Sequence, residues 1–364
     1  MNILILHKPL NEQGGVGGLF YSLKKHLPDY VDYLEIGSRD NENVFSFVYR
    51  FIKDNVVFMG LLKKKHYDLI HLNLTFDFKS SVREGLFLLI AKKRCKKIII
   101  YIHGWDEKYE RGLKGLWKWL FCKVFAMCDM FIVLDKKREV TLRKWFCKHP
   151  IKLQFTAVDN DLLIGFDHTR AIIERSSTQP FRILFLSRII KEKGIYETID
   201  AISIIQKEGR ISLGLIVAGD GQELEKAKHY AMEKKIEHIK FTGYVRGKEK
   251  IVQYKDAFLY ILPSYGEGMP ISVLEAMAFG LPVITRFVGG LGDFFENEKH
   301  GFITGNQEPE EYAKLIEMLC NNPKLYKEIA QHNYSFAQQH FLASKGAQEL
   351  LSIYELLLTD DFGG

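Results

Sequence analysis

The 364-residue chain has five cysteines, Cys95, Cys122, Cys128, Cys147 and Cys320. Their number is odd, they are scattered, and no two form a C-x-x-C pair or a metal-ligand spacing. They therefore read as free thiols of a reducing compartment. No run reaches the ~18 apolar residues of a membrane span, and Met1 to Leu6 enters a strand directly, with neither a basic leader nor a cleavage site. A cytoplasmic protein is expected. The dinucleotide fingerprint is incomplete: Gly15-x-Gly17 is followed by Phe20 where a third glycine belongs, although Glu35 lies at a plausible distance for a ribose contact. A nicotinamide enzyme is the weaker reading on that ground. No recognised nucleic-acid motif is present, and no carboxylate or histidine cluster supports the lone D-x-D of Asp159 and Asp161 as a metal site.

Apolar residues make up 47% of the chain, so burial does not limit folding. Cations are concentrated early: the first 170 residues carry a net charge of +10 and the remainder −4. With no nucleic-acid motif to account for that excess, an anionic membrane surface or a phosphorylated acceptor fits the basic half.

Short apolar strands alternate with amphipathic helices throughout. Asn2 to His7 is followed by the glycine-rich stretch Asn11 to Gly18 and a helix from about Leu19. Tyr67 to Asn73 carries His71. Ile98 to Ile102 ends at His103-Gly104-Trp105-Asp106, and Leu153 to Val158 is the last strand of the first half. In a parallel sheet these strands exit toward one edge, which would turn His71, His103 and Asp106 toward the ligand crevice. For each histidine alone, a hydrogen-bonded structural role is the competing assignment. The polar segment Glu174 to Pro180 reads as a linker. A second series of strands then follows: Arg182 to Leu186, Leu213 to Val217 with Gly219 at its exit, Ile239 to Phe241, Ala257 to Leu262 and Pro282 to Thr285. From Pro309 the pattern is helical. Two doubly wound α/β domains facing a central cleft are predicted, 1–172 and 181–340, with 341–364 as a C-terminal helix able to pack back on the first.

Two helical stretches of the first half are rich in aromatics. Val44 to Leu62, followed by Lys63-Lys64-Lys65, reads as a core helix with a solvated basic end. Leu113, Leu116, Trp117, Leu120, Phe121, Val124 and Phe125 share one stripe at helical spacing, predicted as core. Trp119 falls opposite, among Lys114, Lys118 and Lys123, as an interfacial membrane contact requires.

The most informative stretch runs from Ser264 to Ile284. A buried strand leads to Glu267 between Gly266 and Gly268, after which Met269 and Pro270 introduce a short helix carrying Glu275 and closed by Gly280. Flanking glycines let a ligand approach the backbone, and the free N–H groups of a helix start favour an anion or a polar ring. The alternative is a capping box of Ser272 and Glu275, which would leave Pro270 without use. Upstream, Arg188 and Lys193 stand at a strand exit beside a helix start, as a planar fork and a mobile point charge suited to a diphosphate.

These residues resemble the retaining glycosyltransferases of family 4 (glycosyl transferases group 1), which have the GT-B fold of two Rossmann-like domains. Glu267 and Glu275 match the family's Glu-x7-Glu within Pro-Ser-x-x-Glu-Gly-Met-Pro, and the match extends through Ala-Met-Ala-x-Gly-x-Pro-Val-Ile. The resemblance is strongest from Arg182 to Gly301. It implies that Glu267 contacts donor-sugar hydroxyls, that Glu275 contacts the ribose, and that Arg188 and Lys193 grip the donor diphosphate. Ser187 here replaces a glycine of that last element. The resemblance further implies donor contacts from Gly15, Val16, Gly17, Gly219, Gly268, Met269 and Pro270, and a histidine, His103, facing the sugar. His71 and Asp106 are candidates for the acceptor. The family's Gly-Gly-x-Pro-Glu appears as Gly289-Gly290-Leu291-Gly292-Asp293, a shorter acid on a looser loop, which bears on donor preference.

The expected activity is metal-independent transfer of a hexose, with retention, from a UDP- or GDP-sugar to a hydroxyl of a glycan or lipid-linked acceptor, in bacterial surface polysaccharide synthesis. No cofactor is expected, the nucleotide sugar being a co-substrate, and no nucleic-acid partner. Peripheral contact with an anionic membrane, at the inner face of the cytoplasmic membrane, is the remaining expectation. A nucleotide-sugar epimerase of the same fold would convert donor without acceptor, and a non-catalytic binding subunit would bind donor without consuming it.

Overall fold

The computed structural model describes residues 1–9, 15–37 and 44–359. Contacts divide the chain into two compact units, Met1–Thr156 with Ala343–Gly364, and Ala157–Leu342.

The first unit runs β1 (Ile3–His7), α1 (Gly15–Lys24), β2 (Val31–Glu35), α2 (Val44–Lys64), β3 (Tyr67–Phe76), α3 (Phe78–Ala91), β4 (Cys95–Trp105), α4 (Glu107–Gly112), α5 (Gly115–Phe125), β5 (Met130–Val133), α6 (Lys136–Trp145) and β6 (Ile151–Leu153). All strands pair in parallel, in the order β2-β1-β3-β4-β5-β6. β1 and β5 are buried along their whole length, as strands covered on both faces must be. Aspartates start several of the helices: Asp77 accepts from Ser80 N at α3, Asp106 from Lys108 N and Tyr109 N at α4, and Asp135 from Arg138 N at α6. One apolar core gathers Phe58 of α2, Phe87 of α3, Phe121 and Phe125 of α5 and Phe146 beyond α6 against Leu72, Ile100 and Phe131 of the sheet.

The second unit runs α7 (His168–Ser177), β7 (Phe181–Leu186), α8 (Ile195–Glu208), β8 (Leu213–Ala218), α9 (Leu224–Glu233), β9 (Ile239–Gly243), α10 (Gly247–Asp256), β10 (Leu259–Leu262), α11 (Ile271–Ala278), β11 (Val283–Arg286), β12 (Gly301–Thr304), α12 (Pro309–Asn321) and α13 (Pro323–His340). Its sheet is also parallel, in the order β12-β11-β10-β7-β8-β9. α14 (Ala343–Leu358) returns to the first unit, where it packs on α1 and where Gln154 donates to Gly346 O at 2.8 Å.

The chain crosses between units at Thr156 and Ala157, ahead of the polar segment 174–180 expected to be the linker. That segment is the end of α7 and a turn, and Arg175 is its anchor. The buried guanidinium donates to the carbonyls of Tyr254, Lys255 and Phe279 at about 2.9–3.0 Å, which ties α7 to the second unit. β12 has no counterpart in the sequence reading, since four residues opening on a glycine resemble a turn.

α5 differs from its pattern. Phe121 and Phe125 are buried, but Leu116 is 74% exposed and Trp117 63%, and Leu120 and Trp119 also face solvent. The spacing put Leu116, Trp117 and Leu120 on one stripe with Phe121 and Phe125, and Trp119 opposite. Only the C-terminal half of the helix has something to pack against.

Candidate active site

In the second sheet the chain moves outward from β7 through β8 and β9, then returns to pair β10 on the other side of β7. Strand order therefore reverses between β7 and β10, the place where open parallel sheets bind ligands at their carboxyl ends. The loops leaving these two strands carry Arg188, Lys193, Glu267 and Gly268.

A 3₁₀ turn over Lys191–Lys193 follows β7 and ends at Gly194, whose φ is +78°. A Cβ at 194 would lie 2.5 Å from Pro263 O, so glycine is what allows the two loops to touch. Glu192 O then accepts from Tyr265 N at 2.8 Å and from Ser264 Oγ at 3.2 Å. Stitched in this way, the loops bring Lys193 Nζ into a hydrogen-bonded ion pair with Glu267 Oε1, both side chains being largely buried. An ammonium has three donors, so Lys193 can hold Glu267 and still offer N–H groups to a phosphate. Arg188 is exposed beside this turn, and its guanidinium has no hydrogen-bond or ion-pair partner among the described residues.

Glu275 sits on α11, buried, with both oxygens engaged: Oε1 accepts from Lys250 Nζ at 2.5 Å and Oε2 from Tyr254 OH at 2.9 Å. A carboxylate has about four acceptor sites, which leaves room for hydroxyl donors as well. The Tyr254 hydroxyl is pushed up by burial and by the Glu275 charge, and stays a donor. The capping box does not form. Ser272 Oγ instead accepts from Tyr260 OH at 2.7 Å, and Pro270 stands at the N-cap, one residue before the first helical position. Met269 and Pro270 are buried beneath this turn. Lys250 and Tyr254, four apart on α10, were missed by the sequence reading. Their spacing puts them on one face, but nothing local says that this face meets Glu275.

Two glycines have structural reasons of their own. Gly219, expected at the donor, has a φ of +144°, and a Cβ there would fall 1.8 Å from Ser187 O; it is glycine because the loops after β8 and β7 pack together. Gly289, with φ +54°, would meet Gly268 O at 1.9 Å, and Gly290 N donates to that carbonyl at 2.8 Å. The segment Gly289–Asp293 is thereby fixed as a 3₁₀ turn with Leu291 buried, not a loose loop. Arg286, at the end of β11, stacks 4.4 Å over the ring of Tyr265, and its Nε and Nη1 are buried without partners among the described residues. No motif singled it out.

In the first unit the order reverses between β1 and β3. Gly15, Val16 and Gly17 form the first turn of α1, four residues earlier than the expected helix start, and present its free N–H groups. Residues 11–14 of the glycine stretch lie outside the described residues. His103 lies on β4, with Nε2 2.6 Å from Asn73 Oδ1, while Asn73 Nδ2 donates to Leu6 O at 2.6 Å. Because the Asn73 amide is spent as donor, its oxygen must accept. Nε2 of His103 therefore carries the proton and Nδ1 is the acceptor. Burial holds the His103 imidazole well below its ordinary pKa, so it stays neutral near pH 7.

His71 does not reach the crevice. β3 extends to Phe76, so His71 is mid-strand, fully buried, with Nδ1 2.6 Å from Tyr354 OH. Burial lowers its pKa to about 3. The unfolded chain, at about 6.5, binds a proton that the folded chain refuses, so stability falls as pH drops below about 6.5. Between pH 7 and pH 5 this group should account for a loss of ~2 kcal/mol. Urea unfolding of His71→Gln should show a pH dependence smaller by that amount; identical slopes would contradict the assignment. Asp106 serves as the cap of α4, with its carboxylate on two backbone N–H groups. Asp159 likewise accepts from Asp161 N and caps a 3₁₀ turn.

Two parallel, doubly wound α/β units joined in sequence have the architecture of the GT-B fold, and the second carries paired cationic and acidic side chains at its reversal point. The chain belongs to the glycosyl transferases group 1: that family's description matches residues 169–336. TuaC of Bacillus subtilis, named as a teichuronic acid biosynthesis glycosyltransferase, is 33% identical over 299 residues, covering 79% of this chain and 70% of its own. The capsular polysaccharide biosynthesis glycosyltransferase CapM of Staphylococcus aureus is 25% identical over 95% of this chain and 94% of its own. The crystal structure of Anabaena HepE in complex with UDP and glucose shares the fold, with a TM-score of 0.73 at 17% identity over 98% of this chain and 99% of its own.

Proposed function

We propose that this glycosyltransferase moves a hexose, with retention, from a UDP- or GDP-sugar to a hydroxyl of a glycan or lipid-linked acceptor in polysaccharide synthesis. The observation that carries the reading is the Lys193–Glu267 pair at the β7/β10 reversal, with the unpartnered guanidinium of Arg188 beside it. A diphosphate gains charge as its bond to the anomeric carbon breaks. Cations already in place stabilise that charge more than the ground state, and this is what speeds the step. Glu267 accepts from sugar hydroxyls and Glu275 from the ribose. The acceptor oxygen attacks the face from which the diphosphate departs, and the acceptor proton passes to the departing phosphate oxygen.

Support for the donor class comes from the fold shared with HepE, and for the acceptor class from the relatives named for teichuronic acid and capsular polysaccharide. Metal independence rests on Arg188 and Lys193 supplying positive charge where a divalent ion would otherwise act. Turnover with a nucleotide sugar should be unchanged by EDTA. Strict dependence on Mn2+ would return Asp159 and Asp161 to the site and sink this part of the reading.

A further inference from the structure

α2, α3 and α5 each follow a strand of the first sheet and share one of its faces, where α3 packs against both neighbours. In a parallel sheet all three therefore begin at the carboxyl edge and run side by side. Their outward surfaces are unusual. On α2, Phe45, Val48, Tyr49, Ile52 and Val56 recur at helical spacing, and all are exposed, Phe45 to 88%. Two polar residues of that helix point the other way: Asn55 is buried and donates to Phe51 O, and Asp54 accepts from Gly37 N. Phe78 and Val82 continue the apolar surface on α3, and Leu116, Trp117 and Trp119 complete it on α5, the Phe78 and Trp117 rings meeting edge to face at 6.3 Å.

Charge on this surface has one sign. The only carboxylates on the three helices are Asp54, turned inward, and Glu84, fully buried. Lys53, Lys63, Lys64, Lys79 and Lys123 are exposed, and Lys123 Nζ lies 4.8 Å over the Trp119 ring. Apolar side chains with aromatic rings, set among lysines on helices that carry no exposed acid of their own, are what an anionic lipid interface recognises; a protein partner gives no reason for the absence of carboxylates from these helices.

We propose that the outward face of α2, α3 and α5 docks on an anionic lipid bilayer, with the apolar stripe of α2 entering the headgroup region. No helix among the described residues is long and apolar enough to cross a membrane, so attachment is from one side. The docked face meets the carboxyl edge of the first sheet, which keeps His103 near the lipid surface. This inference is independent of the donor reading, since donor hydrolysis needs no membrane.

Flotation of the full chain with phosphatidylcholine vesicles, with and without 30% phosphatidylglycerol, tests it. At ~50 mM salt the protein should float with the anionic vesicles only, with tryptophan emission shifted to the blue, and should be released at ~1 M salt, where the Debye length is about 3 Å. The variant Phe45→Glu/Ile52→Glu/Val56→Glu should bind at least about 10-fold more weakly, with unchanged unfolding temperature and donor hydrolysis. Absence of flotation at low salt, equal flotation of the variant, or a dimer that this variant turns into a monomer would each overturn the proposal.

Discussion

Replacing Lys193 with alanine should lower turnover about 1,000-fold and also destabilise the second unit by about 3 kcal/mol. The two effects have one cause. Lys193 and Glu267 are both nearly buried and paired, so removing the ammonium leaves a carboxylate in a poorly hydrated pocket without its counter-charge. The same ammonium is the group placed to meet the leaving diphosphate. Glu267→Gln added to Lys193→Ala should restore most of the stability, because the stranded charge is gone, and none of the rate. Steady-state kinetics and urea unfolding of the two variants separate these effects. Recovery of both together would mean that the pair is only structural.

Arg188→Ala should behave differently: turnover down ~100-fold or more, stability within ~0.5 kcal/mol of the parent. Its guanidinium is exposed and has no partner among the described residues, so little folding free energy is tied to it. Arg188→Lys should recover part of the rate, since a point charge replaces the fork without its bidentate geometry. A near-parental rate for Arg188→Ala would remove this residue from the site.

The alternation of short strands and amphipathic helices is written in local periodicity, and most strands of both sheets follow from it, β2 and β12 excepted. The glycine-marked strand exits likewise put Arg188, Lys193, Glu267 and Glu275 at one edge of one domain. Their pairing was not legible. Lys193 and Glu267 are far apart in sequence and meet because β10 lies beside β7, an order that no local pattern encodes. Lys250 and Tyr254 were hidden for the same reason. His71 misled because polar residues within β3 suggested an early strand end, whereas Asn73 and Thr75 are part of the ladder and continue it to Phe76.

The helices teach a different lesson. Spacing on α5 correctly grouped Leu116, Trp117 and Leu120, whereas the stretch of α2 was read simply as a core helix although Phe45, Ile52 and Val56 are exposed. A periodic apolar stripe establishes which side chains share a face, but not that the protein covers that face. On α2 the buried Asn55 and inward-turned Asp54 reveal which side is which, and that information exists only once the helix is packed.

The most direct test of the glycosyl-transfer reading is to incubate the protein with a panel of UDP- and GDP-hexoses and follow the anomeric proton by NMR as each donor is slowly hydrolysed. The reading predicts that one donor is consumed, that the nucleoside diphosphate is released, and that the sugar first appears with the anomeric configuration it had in the donor. Release of the opposite anomer, or conversion of the donor to an epimer with no diphosphate freed, would contradict it.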